Sequence, residues 1–131
     1  MARLLVVEDD QALQDVLREL LTYEGYETTL AATTEAAIRA LQEQSYDLII
    51  TDSFEFRPPY GPAPGQGLEA LQRAAGGRPV VLFTAFAEAG RLNLAQYHLA
   101  GIWLKPIDLD ALLDLIQGVL HRQPSGVLVL G

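Results

Sequence analysis

The chain reads as an α/β domain built on a parallel sheet with helices on both faces. Four apolar runs of strand length, Leu4–Val7, Leu48–Ile50, Val80–Phe83 and Ile102–Leu104, each stop abruptly at a polar residue. Segments with apolar residues at helical spacing alternate with these strands. Each parallel crossover needs a helix and turns right-handed, so the alternation implies a sheet covered on both sides.

The elements follow in order. After the first strand, Leu13, Val16, Leu17, Leu20 and Leu21 share a helical face and Gly25 is a suitable terminator, which predicts a helix over 10–24. Asp10 suits its N-cap better than it suits a metal. Tyr26–Ala31 predicts a second strand, and Thr33 and Thr34 can cap a helix carrying Ile38 and Leu41. Asp47–Thr51 supplies the third strand. A short helix starts at Gly67 or Leu68 and ends near Gly76 and Gly77, after which Pro79 introduces the fourth strand. A weaker helix is expected over 89–99, then the fifth strand. Asp108 can cap a last helix with Leu109, Leu112, Leu113, Ile116, Val119 and Leu120 as its apolar stripe.

At 131 residues, half of them apolar, the chain is large enough for one domain with a real core. We divide it into a folded domain over 1–122 and an apolar C-terminal tail over 123–131. With no cysteine, disulfides, thiolate ligands and a cysteine nucleophile are excluded. No apolar run reaches membrane length and the opening one is too short for a signal core, so a cytoplasmic location is expected. A formal charge of −8 argues against general nucleic-acid binding. Clustered carboxylates are tolerated when a divalent cation offsets their repulsion.

The polar residues that end the strands are the informative ones. Glu8-Asp9-Asp10, Asp52, Thr84 and Lys105-Pro106 would meet at the carboxyl edge of the sheet, where open α/β sheets bind ligands. Read in their strands, from the run before Glu8 to Lys105-Pro106, they resemble the four motifs of bacterial two-component response-regulator receiver domains, in order and over residues 3 to about 121. The resemblance implies a flavodoxin-like, doubly wound five-stranded sheet in the order 2-1-3-4-5. It also implies a phosphoacceptor, Asp52, served by Mg2+. Asp9 and Asp52 would ligate directly, Glu8 through water, and Phe54 through its backbone carbonyl; hard oxygen donors around a partly hydrated ion suit magnesium. Lys105 would meet a phosphoryl oxygen, Thr84 would offer its hydroxyl, and Pro106 could hold a cis peptide. A sensor histidine kinase or phosphotransfer protein would be the donor and a downstream protein the target; a homodimer is left open.

Several positions depart from that pattern. Receivers usually carry Tyr or Phe three residues before the lysine, as part of the switch; here the position holds Ile102, with Trp103 beside it on the opposite face unless Ala100-Gly101 shifts the register. A Trp that fills core is the simpler role. Phe54 and Phe86 flank the route of the hydrolytic water in the family, so slow self-dephosphorylation is expected. The 53–66 stretch, rich in proline and aromatics, is longer than a usual βα loop and is either a recognition lid or a plain insertion.

Three rival readings stand beside this one. Gly65-Gln-Gly67-Leu-Glu-Ala70 matches a dinucleotide fingerprint only formally, since it does not open the first βαβ unit. An aspartate phosphatase generally needs a second acid near Asp52, where Ser53 and Phe54 follow. A receiver-like interaction module that works without phosphate is the stronger rival. His98 and His121 lack a metal-ligand spacing.

Overall fold

The computed structural model describes residues 2–52, 66–84, 99–105 and 108–121. Strands β1 (Arg3–Val7), β2 (Glu27–Ala31), β3 (Leu48–Thr51), β4 (Val80–Thr84) and β5 (Gly101–Leu104) form one sheet in the order β2-β1-β3-β4-β5. All four pairings are parallel. Helices α1 (Gln11–Tyr23), α2 (Thr34–Glu43), α3 (Gln66–Ala75) and α4 (Leu109–Leu120) complete the described elements. The 89–98 part of the expected helix, the 53–65 part of the long loop, Phe86, Pro106, His98 and the 123–131 tail lie outside the described residues.

Two apolar layers sandwich the sheet. Leu5, Val7, Ile49 and Leu82 face α2 and α3, packing with Ala37 and Leu71. Leu4, Val6, Ile50 and Phe83 face α1 and α4, packing with Leu21 and Ile116. Both faces of β1, β3 and β4 are therefore buried, which is why their sequences are continuous apolar runs rather than alternating ones.

The caps explain the helix starts, with one exception. The Asp10 side chain accepts from Leu13 N at 3.2 Å and the Thr33 hydroxyl from Ala36 N at 3.1 Å. Asp108 holds the N-cap position of α4 but makes no side-chain cap bond, so the expected cap is positional only. Gly25 follows α1 at φ 92, a left-handed conformation that glycine adopts without steric cost.

The buried stripe of α1 also differs from expectation. Leu17 and Leu21 are buried together with Gln14, whereas Val16 is 43% exposed. The apolar positions of α1 span more than one face, and contact with the sheet selects the 14-17-21 line among them. In α2 the fully buried residue is Ala37, flanked by the half-buried Ile38 and Leu41.

The β4–β5 ladder runs without a bulge: Leu82 pairs with Ile102, Phe83 with Trp103 and Thr84 with Leu104. Ile102 therefore packs in the α2–α3 layer and Trp103 in the α1–α4 layer. The Trp103 indole lies back over Gly101, where an added Cβ would meet Nε1 at 3.0 Å. Gly101→Ala should overpack this corner, lowering stability in urea by about 1 kcal/mol or more and changing the Trp103 emission; a variant with the wild-type midpoint and spectrum would show that the indole is free to move.

An acidic cluster bridged by a lysine

Three charged residues of the site share one structural position: each is the first residue past the end of a strand. Glu8 follows β1, Asp52 follows β3 and Lys105 follows β5. The ladder continues far enough to pin all three. Glu8 N donates to Ala31 O at 2.9 Å, Asp52 N to Val7 O at 2.8 Å and Lys105 N to Thr84 O at 2.7 Å. Their backbones are thus as fixed as the sheet, although none belongs to a strand.

Their side chains converge. Lys105 Nζ donates to Glu8 Oε1 at 2.7 Å and lies 3.5 Å from Asp52 Oδ1. The Glu8 and Asp52 side chains are 3% and 5% exposed and that of Lys105 is 17% exposed, so the bridge is largely shielded from water. The ammonium also sits 5.1 Å from the centroid of the Phe83 ring, within range of a cation–π attraction. Glu8 Oε2 accepts from Asp10 N at 3.2 Å, so both oxygens of Glu8 are engaged by the protein.

Asp9 completes the cluster from an exposed position. One carboxylate oxygen from each of Glu8, Asp9 and Asp52 lies within 4.8 Å of the others. The set consists of hard carboxylate oxygens, the donor type that Mg2+ takes, and a spread of up to 4.8 Å suits an ion that keeps several of its waters. Thr84, the last residue of β4, is fully buried beside them. Phe54 lies outside the described residues, as does the Pro106 half of the Lys105-Pro106 peptide.

Burial pushes the Glu8 carboxyl above its ordinary range; the Lys105 hydrogen bond opposes this, and the neighbouring Asp52 charge adds to it.

Two features went unread in the sequence. The apolar run marks Phe83 only as strand core, yet its ring lies beneath the lysine. Gln14, on the buried face of α1, donates through Nε2 to the backbone carbonyl of Glu8; a polar residue in line with Leu17 and Leu21 was the available signal. Beside the site, an apolar cavity of about 390 Å³ opens between α1 and α4, lined by Leu13, Val16, Phe83, Lys105, Leu109 and Leu112 among others.

Residues 4–117 match the family model for the response regulator receiver domain. The chain belongs to that family. Among curated relatives, response regulator protein FleR of Pseudomonas aeruginosa is 34% identical over 116 residues, covering 88% of this chain and 24% of FleR. Transcriptional regulatory protein GlrR of Escherichia coli is 31% identical over 123 residues, covering 92% of this chain and 27% of GlrR. The receiver thus spans about a quarter of the length of these two relatives. Among solved structures, a CheY-like receiver domain protein from Methanospirillum hungatei superposes with a TM-score of 0.81 at 23% identity, covering 97% of this chain and 99% of that one. The receiver domain of the sensor histidine kinase PA1611 from Pseudomonas aeruginosa, described with a magnesium ion in its active-site cleft, superposes with a TM-score of 0.75 at 25% identity, covering 92% of this chain and 98% of that one. The sheet order of this chain, β2-β1-β3-β4-β5, is the one expected from the resemblance. Among the described residues no helix is long and apolar enough to cross a membrane.

The raised Glu8 carboxyl has a consequence for stability. Its folded-state pKa lies above the ordinary value of 4.5, so this contribution is present below that value and lost as pH rises through the folded pKa. In metal-free buffer the urea midpoint of wild type should fall as pH rises above that ordinary value, and Glu8→Gln should flatten the slope; equal slopes in the two proteins would remove Glu8 as the cause.

Proposed function

We propose that the receiver is a phosphoacceptor of a two-component or phosphorelay system, phosphorylated on Asp52 with Mg2+ and signalling to protein partners through a conformational shift. The observation that supports it most directly is the placement of Asp52: its carboxylate lies within 4.8 Å of two other acidic side chains and 3.5 Å from the Lys105 ammonium. An isolated surface aspartate would have neither the counter-charge nor the fixed backbone. A cytoplasmic location goes with this reading.

The carboxylates of Glu8, Asp9 and Asp52, with the Phe54 carbonyl, would hold the cation, Glu8 acting through water as the family resemblance implies. When bound, Mg2+ supplies charge screening between the anionic nucleophile and the anionic phosphoryl group. Asp52 attacks phosphorus in line, forming an oxygen–phosphorus bond as the bond to the leaving group of a phosphohistidine or acyl phosphate breaks. Lys105, with three donors on one ammonium, can leave Glu8 for a phosphoryl oxygen without crossing the site. The Thr84 hydroxyl would move toward the same anion. Catalysis here is positioning and electrostatics, confined to the domain's own phosphorylation and dephosphorylation.

Output would come from population shift, with the phosphoryl group stabilising one arrangement of the Thr84 loop and β5. A near-complete switch takes about 5.5 kcal/mol of differential stabilisation. The donor would be a histidine kinase or phosphotransfer protein and the target a separate protein or another part of a longer chain.

β5 favours a second reading. With Ile102 at the position of the usual aromatic and Trp103 packed in the opposite layer, the aromatic partner for Thr84 is displaced from its family position. A receiver-like interaction module regulated without phosphate would tolerate that change.

Labelling separates the two. Acetyl phosphate with Mg2+ should add one phosphoryl group to wild type and none to Asp52→Asn, and a chelator should suppress it; an unmodified wild-type chain would favour the phosphate-independent module. The lifetime of the acyl phosphate tests the hydrolytic route. Phe54→Ala and Phe86→Ala should each shorten it several-fold, and the double substitution more; unchanged lifetimes in all three would show that the rings do not shield phosphorus from water.

A further inference from the structure

Gln14 is 8% exposed on the face of α1 that packs against the sheet. A buried amide needs a hydrogen-bond partner, and its Nε2 finds the backbone carbonyl of Glu8. That carbonyl lies one residue past the end of the ladder. The Val7 carbonyl accepts from Asp52 N, and Glu8 N donates to Ala31 O, but β2 and β3 stop at Ala31 and Thr51. The Gln14 amide therefore supplies an N–H to a carbonyl that the sheet no longer serves.

The peptide unit is planar, so holding the Glu8 carbonyl also orients the Asp9 N–H and places the Asp9 Cα from which its side chain leaves the backbone. This matters because Asp9 is exposed and still brings a carboxylate oxygen within 4.8 Å of those of Glu8 and Asp52. The Asp10 amide on Glu8 Oε2 and the Asp10 cap on α1 tie the following residue to the same frame.

We infer that Gln14 is a positioning residue of the site: its hydrogen bond to the Glu8 carbonyl holds the Glu8–Asp9 peptide so that the Asp9 carboxylate faces Asp52. The inference rests on the reading of Glu8, Asp9 and Asp52 as a cation site. Gln14 touches neither the cation nor the phosphoryl group; it acts through the backbone.

Calorimetric titration with Mg2+ alone tests it, at a temperature where every variant is folded. Gln14→Met keeps the length of the side chain and removes the N–H; its dissociation constant for Mg2+ should rise about tenfold, the usual cost of losing an outer partner of a metal ligand. Leu21→Ala, at the far end of the same buried stripe, destabilises the same helix and should leave that constant unchanged. The amide resonance of Asp9 should move in Gln14→Met and stay in place in Leu21→Ala. Wild-type affinity in Gln14→Met, or an equal loss in Leu21→Ala, overturns the positioning role. Failure of the wild-type chain to bind Mg2+ overturns instead the cation site on which the role depends. Should Gln14→Met not fold, the wild-type chain decides: the side-chain amide protons of Gln14 should exchange slowly with water and shift with the same midpoint as Mg2+ binding, and fast exchange would sink the proposal.

Discussion

The ammonium of Lys105 lying across two buried carboxylates is the constraint from which the rest of the site follows. Ionised groups taken out of water are costly, and removing one partner of such a buried set typically costs about 3–5 kcal/mol. Glu8 and Asp52 can be buried together because a cation 2.7 Å from one and 3.5 Å from the other offsets their charge. That cation comes from a residue 97 positions away from Glu8 along the chain, so the cluster exists only when β5 is in place.

The sheet order makes this meeting possible. In the order β2-β1-β3-β4-β5, β1 and β3 are neighbours, so their first residues past the ladder, Glu8 and Asp52, stand side by side. The chain moves outward from β1 to β2 in one direction and from β3 to β5 in the other, and the crevice left at this reversal is where open α/β sheets place their ligands. Lys105 reaches into it from the edge strand across Thr84 and over the Phe83 ring. The long lysine side chain suits that span, with its stem along apolar surface and its charge at the tip.

The site and the core are not separate structures. Phe83 packs in the α1–α4 layer and also lies beneath the ammonium. Gln14 shares the buried face of α1 with Leu17 and Leu21 and also holds a carbonyl of the acidic loop. Trp103, one layer partner of Phe83, has its indole in the space that a side chain at Gly101 would take. A change at the site can therefore be felt in the α1–α4 layer through contacts already present, whereas Ile102 reports to the opposite face.

The sequence by itself determined the parallel α/β class, the strands β1, β3, β4 and β5 to within a residue, and the residues that gather at the carboxyl edge. Continuous apolar runs ending in Glu8, Asp52, Thr84 and Lys105 are local signals, and burial on both sheet faces leaves few other ways to read them. What local pattern could not decide was anything that depends on which face meets a neighbour. Tertiary packing chose Gln14 over Val16 for the buried stripe of α1, Ala37 as the close contact of α2, and opposite layers for Ile102 and Trp103. It also left Asp108 at its helix end without a cap bond. The reason is physical: an apolar run identifies an element that must be buried, but the direction of each side chain is set by the register of the ladder and the rotation of the helix, and both are fixed by contacts between residues far apart in the chain.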